Sequence, residues 1–368
     1  MLRFSVDQGV FASALSSVVG ASAKKSTMPV LQCVKVSADG DLIRLDCTDL
    51  DLTLSAGLEA ATDSGVSGAV CVNARSLLQV VSALPDMLVT LEADANHYVK
   101  IQAGKSKFNL PGVSADEFPK LPQVKDATDV RFDLRDFAAA LSAAAPYCST
   151  DETRYVLNGV LFDPRGCFVA TDGHRLVKAP CGGDKPKNTM PRQIIVPAKA
   201  CQHILRGLAD PGDLDEVTLS FGESHLLVSF NKVNLTTRLI DGRFPDFDKV
   251  IPKPDAQVNK IECGLDYLTG AVKRVSLVLE GRSDMLRIEN GVLSCQSPDR
   301  GEASEALAAV EDRPKTGKIG VSAHYLKGAL DTLKGSDVVT LAWADDMSPM
   351  TVTADGSTVL AVIMPMRI

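Results

Sequence analysis

Apolar and polar positions along this chain follow one composite pattern that recurs three times, about 125 residues apart. A short alternating stretch runs into a segment with apolar residues at i, i+3 and i+4, and further alternating stretches follow. Each copy therefore predicts a strand, an amphipathic helix and a hairpin. The clearest copies are VNARSLLQVVSALP from Val72, VPAKACQHILRGLA from Val196 and VSAHYLKGALDTLK from Val321. A second set gives the first half of each third the same build: FSVDQGVFASALSSVVG from Phe4, FDLRDFAAALSAAAP from Phe132 and IECGLDYLTGAVKRVSLV from Ile261. Helices are expected over roughly 7–19, 73–84, 135–146, 198–209, 264–279 and 322–334. Turn signals such as Asp39-Gly40, Pro164-Arg165-Gly166 and Asn290-Gly291 separate the intervening strands.

Each third is thus two similar β-α-β-β-β halves, and antiparallel strands with helices on one face make an α+β domain. A repeat this long can carry its own core, so three similar domains are expected, over 1–126, 127–253 and 254–368. The connections FPKLPQVKDATD and FPDFDKVIPKPDAQ each open on a Phe-Pro step and add further prolines. That composition favours extended, stiff linkers and a fixed relation between domains.

Composition narrows the function by exclusion. With 45% hydrophobic and 23% charged residues the chain reads as an ordinary globular protein. It shows neither a membrane-length apolar run nor the build of a signal peptide, so a cytoplasmic location and no membrane partner are expected. The nine cysteines stand singly, without CxxC or Cys/His spacing, and read as small buried hydrophobes. A net charge of −7 argues against indiscriminate wrapping of nucleic acid. The helices run the other way, carrying Arg75, Arg135, Lys199, Arg206, Lys273, Arg274, Lys327 and Lys334. A polyanion touched mainly by helices would fit this segregation; so would solvated Lys and Arg acting as good helix formers.

The densest polar cluster is Thr171-Asp172-Gly173-His174-Arg175-Leu176. Asp172 could orient His174 as a general base, the one hydrolase reading the chain offers. No nucleophile or second acid stands at a recognisable spacing, and a tight Asp-Gly turn explains the same residues. The five histidines are scattered, and GxSxG, HExxH, GxxxxGK[ST] and GxGxxG are all missing. Neither enzyme chemistry, nor a metal, nor a cofactor is expected. The apolar terminus VLAVIMPMRI reads either as a final core strand or as a wall of an apolar groove.

TDGHRL at 171–176, LNGVLFD at 157–163, DGRFPDF at 241–247 and MPMRI at 364–368, in this order and on this repeat, closely resemble the bacterial β sliding clamp family. That family supplies the processivity subunit of the replicative DNA polymerase, and the resemblance spans the whole chain. It implies a head-to-tail homodimer closing as a ring, with helices inside around duplex DNA and antiparallel sheets outside. It also implies sequence-independent DNA contact. The implied partners are the DNA polymerase III α subunit, the clamp loader and other proteins with short hydrophobic clamp-binding motifs. A clamp-like peptide-binding scaffold that never closes a ring is the alternative.

Carried over residue by residue, the resemblance implies a partner-peptide groove. Leu157, Thr171, Gly173, His174, Arg175 and Leu176 form one wall, Pro245, Lys249 and Val250 the linker side, and Tyr325, Val362, Met364, Pro365, Met366 and Arg367 the rest. Leu176, Val250, Val362 and Met364 would be its apolar floor, anchoring a partner's leucine or phenylalanine. Lys24, Lys25, Arg154 and Tyr155 match DNA-facing loop positions, beside the helical Arg75, Arg135, Lys199, Arg206, Lys273 and Arg274. The ring interface would pair Phe108 and Leu110 with Leu277 and Val278 of the next chain. Ser283, Ser322, Lys249 and Val156 depart from common family residues; the two serines bear on which partner peptides the groove prefers.

Overall fold

The computed structural model describes residues 2–62, 67–182, 190–209, 214–230, 232–279, 284–307 and 316–368. The expected helices form as α1 (Gln8–Val19), α2 (Ala74–Ala83), α3 (Leu134–Ala144), α4 (Ala198–Leu208), α5 (Leu265–Val275) and α6 (Ala323–Thr332). Side chains just outside their first turns start several of them. Asp7 accepts from the amides of Gly9 and Val10, Asn73 from Ser76 and Ser322 from Tyr325, satisfying donors that a helix start leaves open. Helices α3, α5 and α6 end two or more residues earlier than the periodicity predicts. Pro146 lacks the amide needed to continue α3, and the chain tightens into a 3-10 turn over Ala145–Tyr147. After α5 the chain tightens likewise over Ser276–Val278, which leaves Leu277 exposed rather than on a helix face.

The two halves of each third are interlocked by strand exchange. In the first third, Leu2–Asp7 pairs with Leu88–Ala93 of the second half, while Ser67–Asn73 pairs with Cys33–Asp39 of the first. Thr128–Asp133 with Glu216–Phe221, and Asn259–Gly264 with Val338–Trp343, repeat the exchange. In each third a strand of the first half thus pairs with one of the second.

The chain divides into two compact units that cut across the middle third: Met1–Leu134 with Gln202–Leu239, and Arg135–Cys201 with Ile240–Ile368. In the first unit a nine-stranded sheet joins strands of the first and middle thirds through Leu52–Glu59 and Val233–Arg238, with Leu54 opposite Leu235. A five-stranded sheet ends at the edge strand Ser106–Leu110. The core between sheets and helices holds Phe4 against Phe11 edge to face, centroids 5.7 Å apart.

In the second unit an eight-stranded sheet joins the middle and last thirds through Arg175–Pro180 and Leu360–Ile363, with Leu176 opposite Val362. Its core includes Phe162 stacked on Phe168 at 4.1 Å, with Phe137 edge-on to both. A four-stranded sheet ends at the edge strand Gly301–Ala306. All nine cysteines stand outside disulfide bonds, and all but Cys148 are buried, as their isolated spacing suggests.

Candidate functional site

An apolar cavity of about 140 Å³ opens in the second unit where Leu176 meets Val362 across the sheet. Both residues are almost wholly buried and form its floor, while Val250 and Met364, each more than a third exposed, stand as its lips. Leu157, Thr171, Gly173, Arg175 and Pro245 complete the predicted set that lines it. Phe244 and Phe247, not assigned from the sequence, also line it and are buried among the same core residues. Their signal was present: two phenylalanines three residues apart bracket a proline in an otherwise polar linker.

The TDGHRL turn is rigid because its polar groups are satisfied locally. Asp172 Oδ1 accepts from the amides of His174 and Arg175 at 2.9 and 3.0 Å, and its Oδ2 accepts from Arg175 Nε at 3.0 Å. Thr171 Oγ1 donates to the Arg175 carbonyl at 2.6 Å and accepts from the Gly173 amide at 3.1 Å. Gly173 has φ +90°, a conformation that favours glycine, whereas the one close neighbour a Cβ would meet is the movable end of Arg154. The carboxylate of Asp172 is committed to these partners, and the His174 ring lies parallel to Tyr325 at 6.3 Å. The donors given to the Asp172 carboxylate are the turn's own amides and the Arg175 side chain.

Arg175 ties the turn to the rest of the unit. Its guanidinium lies 4.6 Å from the Tyr147 ring and 5.0 Å from the Tyr325 ring, and Nη2 donates to the Pro146 carbonyl at 2.7 Å. Burial pushes the Tyr147 phenol up to about 12. The Met364 amide donates to the His174 carbonyl at 2.9 Å, fixing the terminal segment over the turn. Beyond it Met366 bridges back to Gly320, so Pro365, Met366 and Arg367 lead away from the cavity and do not line it. Lys249 also stands outside, 82% exposed and paired with Asp246 at 3.1 Å. Tyr325 and His174 line an adjoining polar cavity of about 450 Å³ with His324, Arg154 and Asp151. Ser322 is buried at the start of α6, with its hydroxyl on Asp284; Ser283 lies outside the described residues.

The remaining predicted residues are all on the surface. Lys24 and Lys25 are exposed in the loop after α1, and Arg75, Arg135, Lys199, Arg206 and Lys273 are exposed on α2 to α5. Arg274 is less available than the sequence suggests, because Glu305 takes both its Nε and Nη2, at 3.0 and 2.6 Å. Arg154 reaches over the TDGHRL turn and donates to the Asp172 carbonyl at 3.3 Å, while neighbouring Tyr155 is 58% exposed. Phe108 and Leu110 sit on the edge strand Ser106–Leu110. Leu277, 70% exposed, and Val278 sit on the turn that abuts the edge strand Gly301–Ala306.

Comparison with known proteins covers the chain from end to end. Residues 2–122, 133–246 and 248–367 match the N-terminal, central and C-terminal domains of the DNA polymerase III beta subunit family. The beta sliding clamp of Vibrio cholerae is 27% identical, over 100% of both chains. The crystal structure of the DNA polymerase sliding clamp from Caulobacter crescentus superposes with a TM-score of 0.90 at 28% identity, over 100% of both chains. A sliding clamp from Pseudomonas aeruginosa, solved bound to griselimycin, superposes with a TM-score of 0.88 at 25% identity, over 100% of this chain and 99% of that one.

Proposed function

The chain belongs to the DNA polymerase III beta subunit family, the beta sliding clamps, and on that premise we propose that it works without catalysis, as a ring and a docking platform. Two copies, each of three domains over 1–126, 127–253 and 254–368, would close head to tail around duplex DNA in the cytoplasm. The ring would tether the polymerase α subunit, the clamp loader and other proteins through the Leu176–Val362 groove. The observation that carries this reading is the groove itself. Its floor is apolar, its lips are Val250 and Met364, and the polar groups beside it are spent on holding its shape. Such a site suits a leucine or phenylalanine anchor and offers no reacting pair.

The distribution of charge supports the DNA half of the reading. Exposed Arg75, Lys199, Arg206 and Lys273 stand on helices of a chain whose net charge is −7. A ring that holds DNA by topology needs only weak, sequence-indifferent contacts, and tight phosphate binding would slow sliding. The two sheet edges support the dimer: among the described residues, Ser106–Leu110 with Phe108 and Leu110, and Gly301–Ala306 beside Leu277 and Val278, are strands paired on one side. A strand edge with exposed apolar residues on it, as at Phe108, or beside it, as at Leu277, suits a partner.

Peptide binding tests the groove. A labelled peptide ending in Leu-Phe should bind the wild type saturably, and Leu176→Asp should abolish that binding. His174→Ala should only weaken it. Undiminished binding by Leu176→Asp would contradict the assignment. A protein that sediments as a monomer at micromolar concentration would instead favour the scaffold that never closes a ring.

A further inference from the structure

One wall of the groove is the linker segment Phe244–Val250, which belongs to no sheet, and charged residues far away in sequence hold it. We propose that Arg165 is a positioning residue for partner binding, clasping this wall through Asp248 and Phe247; the inference rests on reading the cavity as a partner-peptide site. The clasp is anchored at Asp163, whose side chain is 1% exposed at the end of the strand Gly159–Asp163. Its carboxylate accepts from the Arg165 amide at 2.9 Å, from Nε at 2.8 Å, from Nη2 at 3.2 Å and from Gln193 Nε2 at 2.9 Å. A carboxylate so saturated fixes the plane of the guanidinium.

The other end of the guanidinium faces the linker. Arg165 Nη1 donates to Asp248 Oδ2 at 2.7 Å, and its Cζ lies 4.8 Å from the Phe247 ring centroid. Lys178 Nζ lies 3.9 Å from Asp248 Oδ1 and 5.8 Å from the same ring. Phe247–Lys249 is a 3-10 turn whose closing bond, Val250 amide to Phe247 carbonyl at 3.1 Å, presents Val250 at the lip. Asp163, Arg165, Lys178 and Asp248 do not line the cavity, whereas Phe247 and Val250 do. Any effect of the clasp on a bound peptide must therefore pass through that wall. An isolated exposed ion pair would carry little. The Arg165–Asp248 pair is half-exposed on both sides, but its arginine is held on the buried Asp163 by several hydrogen bonds, and two cations cover the Phe247 ring.

The test uses the intact protein and a fluorescein-labelled nonapeptide ending in Leu-Phe, read by fluorescence anisotropy. Asp248→Asn and Arg165→Lys should each weaken binding about fivefold, and the double variant should lose no more than the worse single one. Asp248→Asn leaves the Asp163 pairings in place, which guards against a folding defect, and its melting temperature should match the wild type. In a Val250→Ala background the effect of Asp248→Asn should vanish; in a Met364→Ala background it should persist. Unchanged affinity in both clasp variants, or an equal loss in both backgrounds, overturns the proposal while leaving the groove intact. No saturable binding by the wild type, or binding that survives Leu176→Asp, overturns the groove reading and this inference with it.

Discussion

Arg175 lies between two tyrosine rings with its Nε on Asp172 and its Nη2 on a backbone carbonyl, and its side chain is only 10% exposed. Lysine there would keep the charge and lose both the fork and the stacking. Arg175→Lys should lower stability by roughly 1–3 kcal/mol, read as an earlier urea midpoint with unchanged slope. Asp163 gives a pH signature. Burial raises its carboxyl, but the hydrogen bonds from Arg165 and Gln193 outweigh that and hold it below the usual carboxylate range. Its stabilisation is complete above the unfolded value of about 3.9 and is lost as pH falls through the lower folded value. Asp163→Asn should therefore flatten the acid limb of the stability curve below about pH 4. Burial also pushes the thiols of Cys71 and Cys148 up to about 12 and those of Cys167 and Cys263 to about 11. Thiol reagents at pH 8 should label the native protein far more slowly than the urea-unfolded chain. The sequence alone exposed Leu176, Val362 and Met364 through recognisable motifs. It hid the Arg165–Asp248 contact, because residues 83 positions apart carry no local signature.

The helices were legible because apolar spacing and capping residues both act locally. Asn73 is an example: it opens the run expected as a helix over 73–84, and its side-chain Oδ1 accepts from the Ser76 amide at 3.0 Å, so that α2 starts just after it. Asn73→Ala should cost about 1 kcal/mol in thermal or urea unfolding. The strands were legible as strands but not as neighbours. Nothing in LRFSVD or LVTLEA says that the two pair across the halves, since pairing is decided by the whole domain. The same limit applies to the sheet junctions, where Leu54 meets Leu235 and Leu176 meets Val362. Across those junctions neighbouring thirds share sheets. Where a strand edge stays open, the element predicts assembly. Replacing Leu277 and Val278 by Ala should move sedimentation from dimer toward monomer; an unchanged dimer would remove that turn from the interface.

For the whole molecule, the threefold repeat accounts for the shared architecture and the departures from it account for the groove. TDGHRL occurs in the middle third and MPMRI in the last, and the sheet junction brings them together. The proposed ring would use the repeated helices for DNA and the unrepeated motifs for partners. Retention on DNA after loading separates this architecture from ordinary phosphate binding. The complex should persist on closed circular DNA at high salt and be lost rapidly once the circle is cut, because free ends let a ring slide off. Equal loss from circular and linear DNA, falling steeply with salt on both, would contradict a clamp that encircles its substrate.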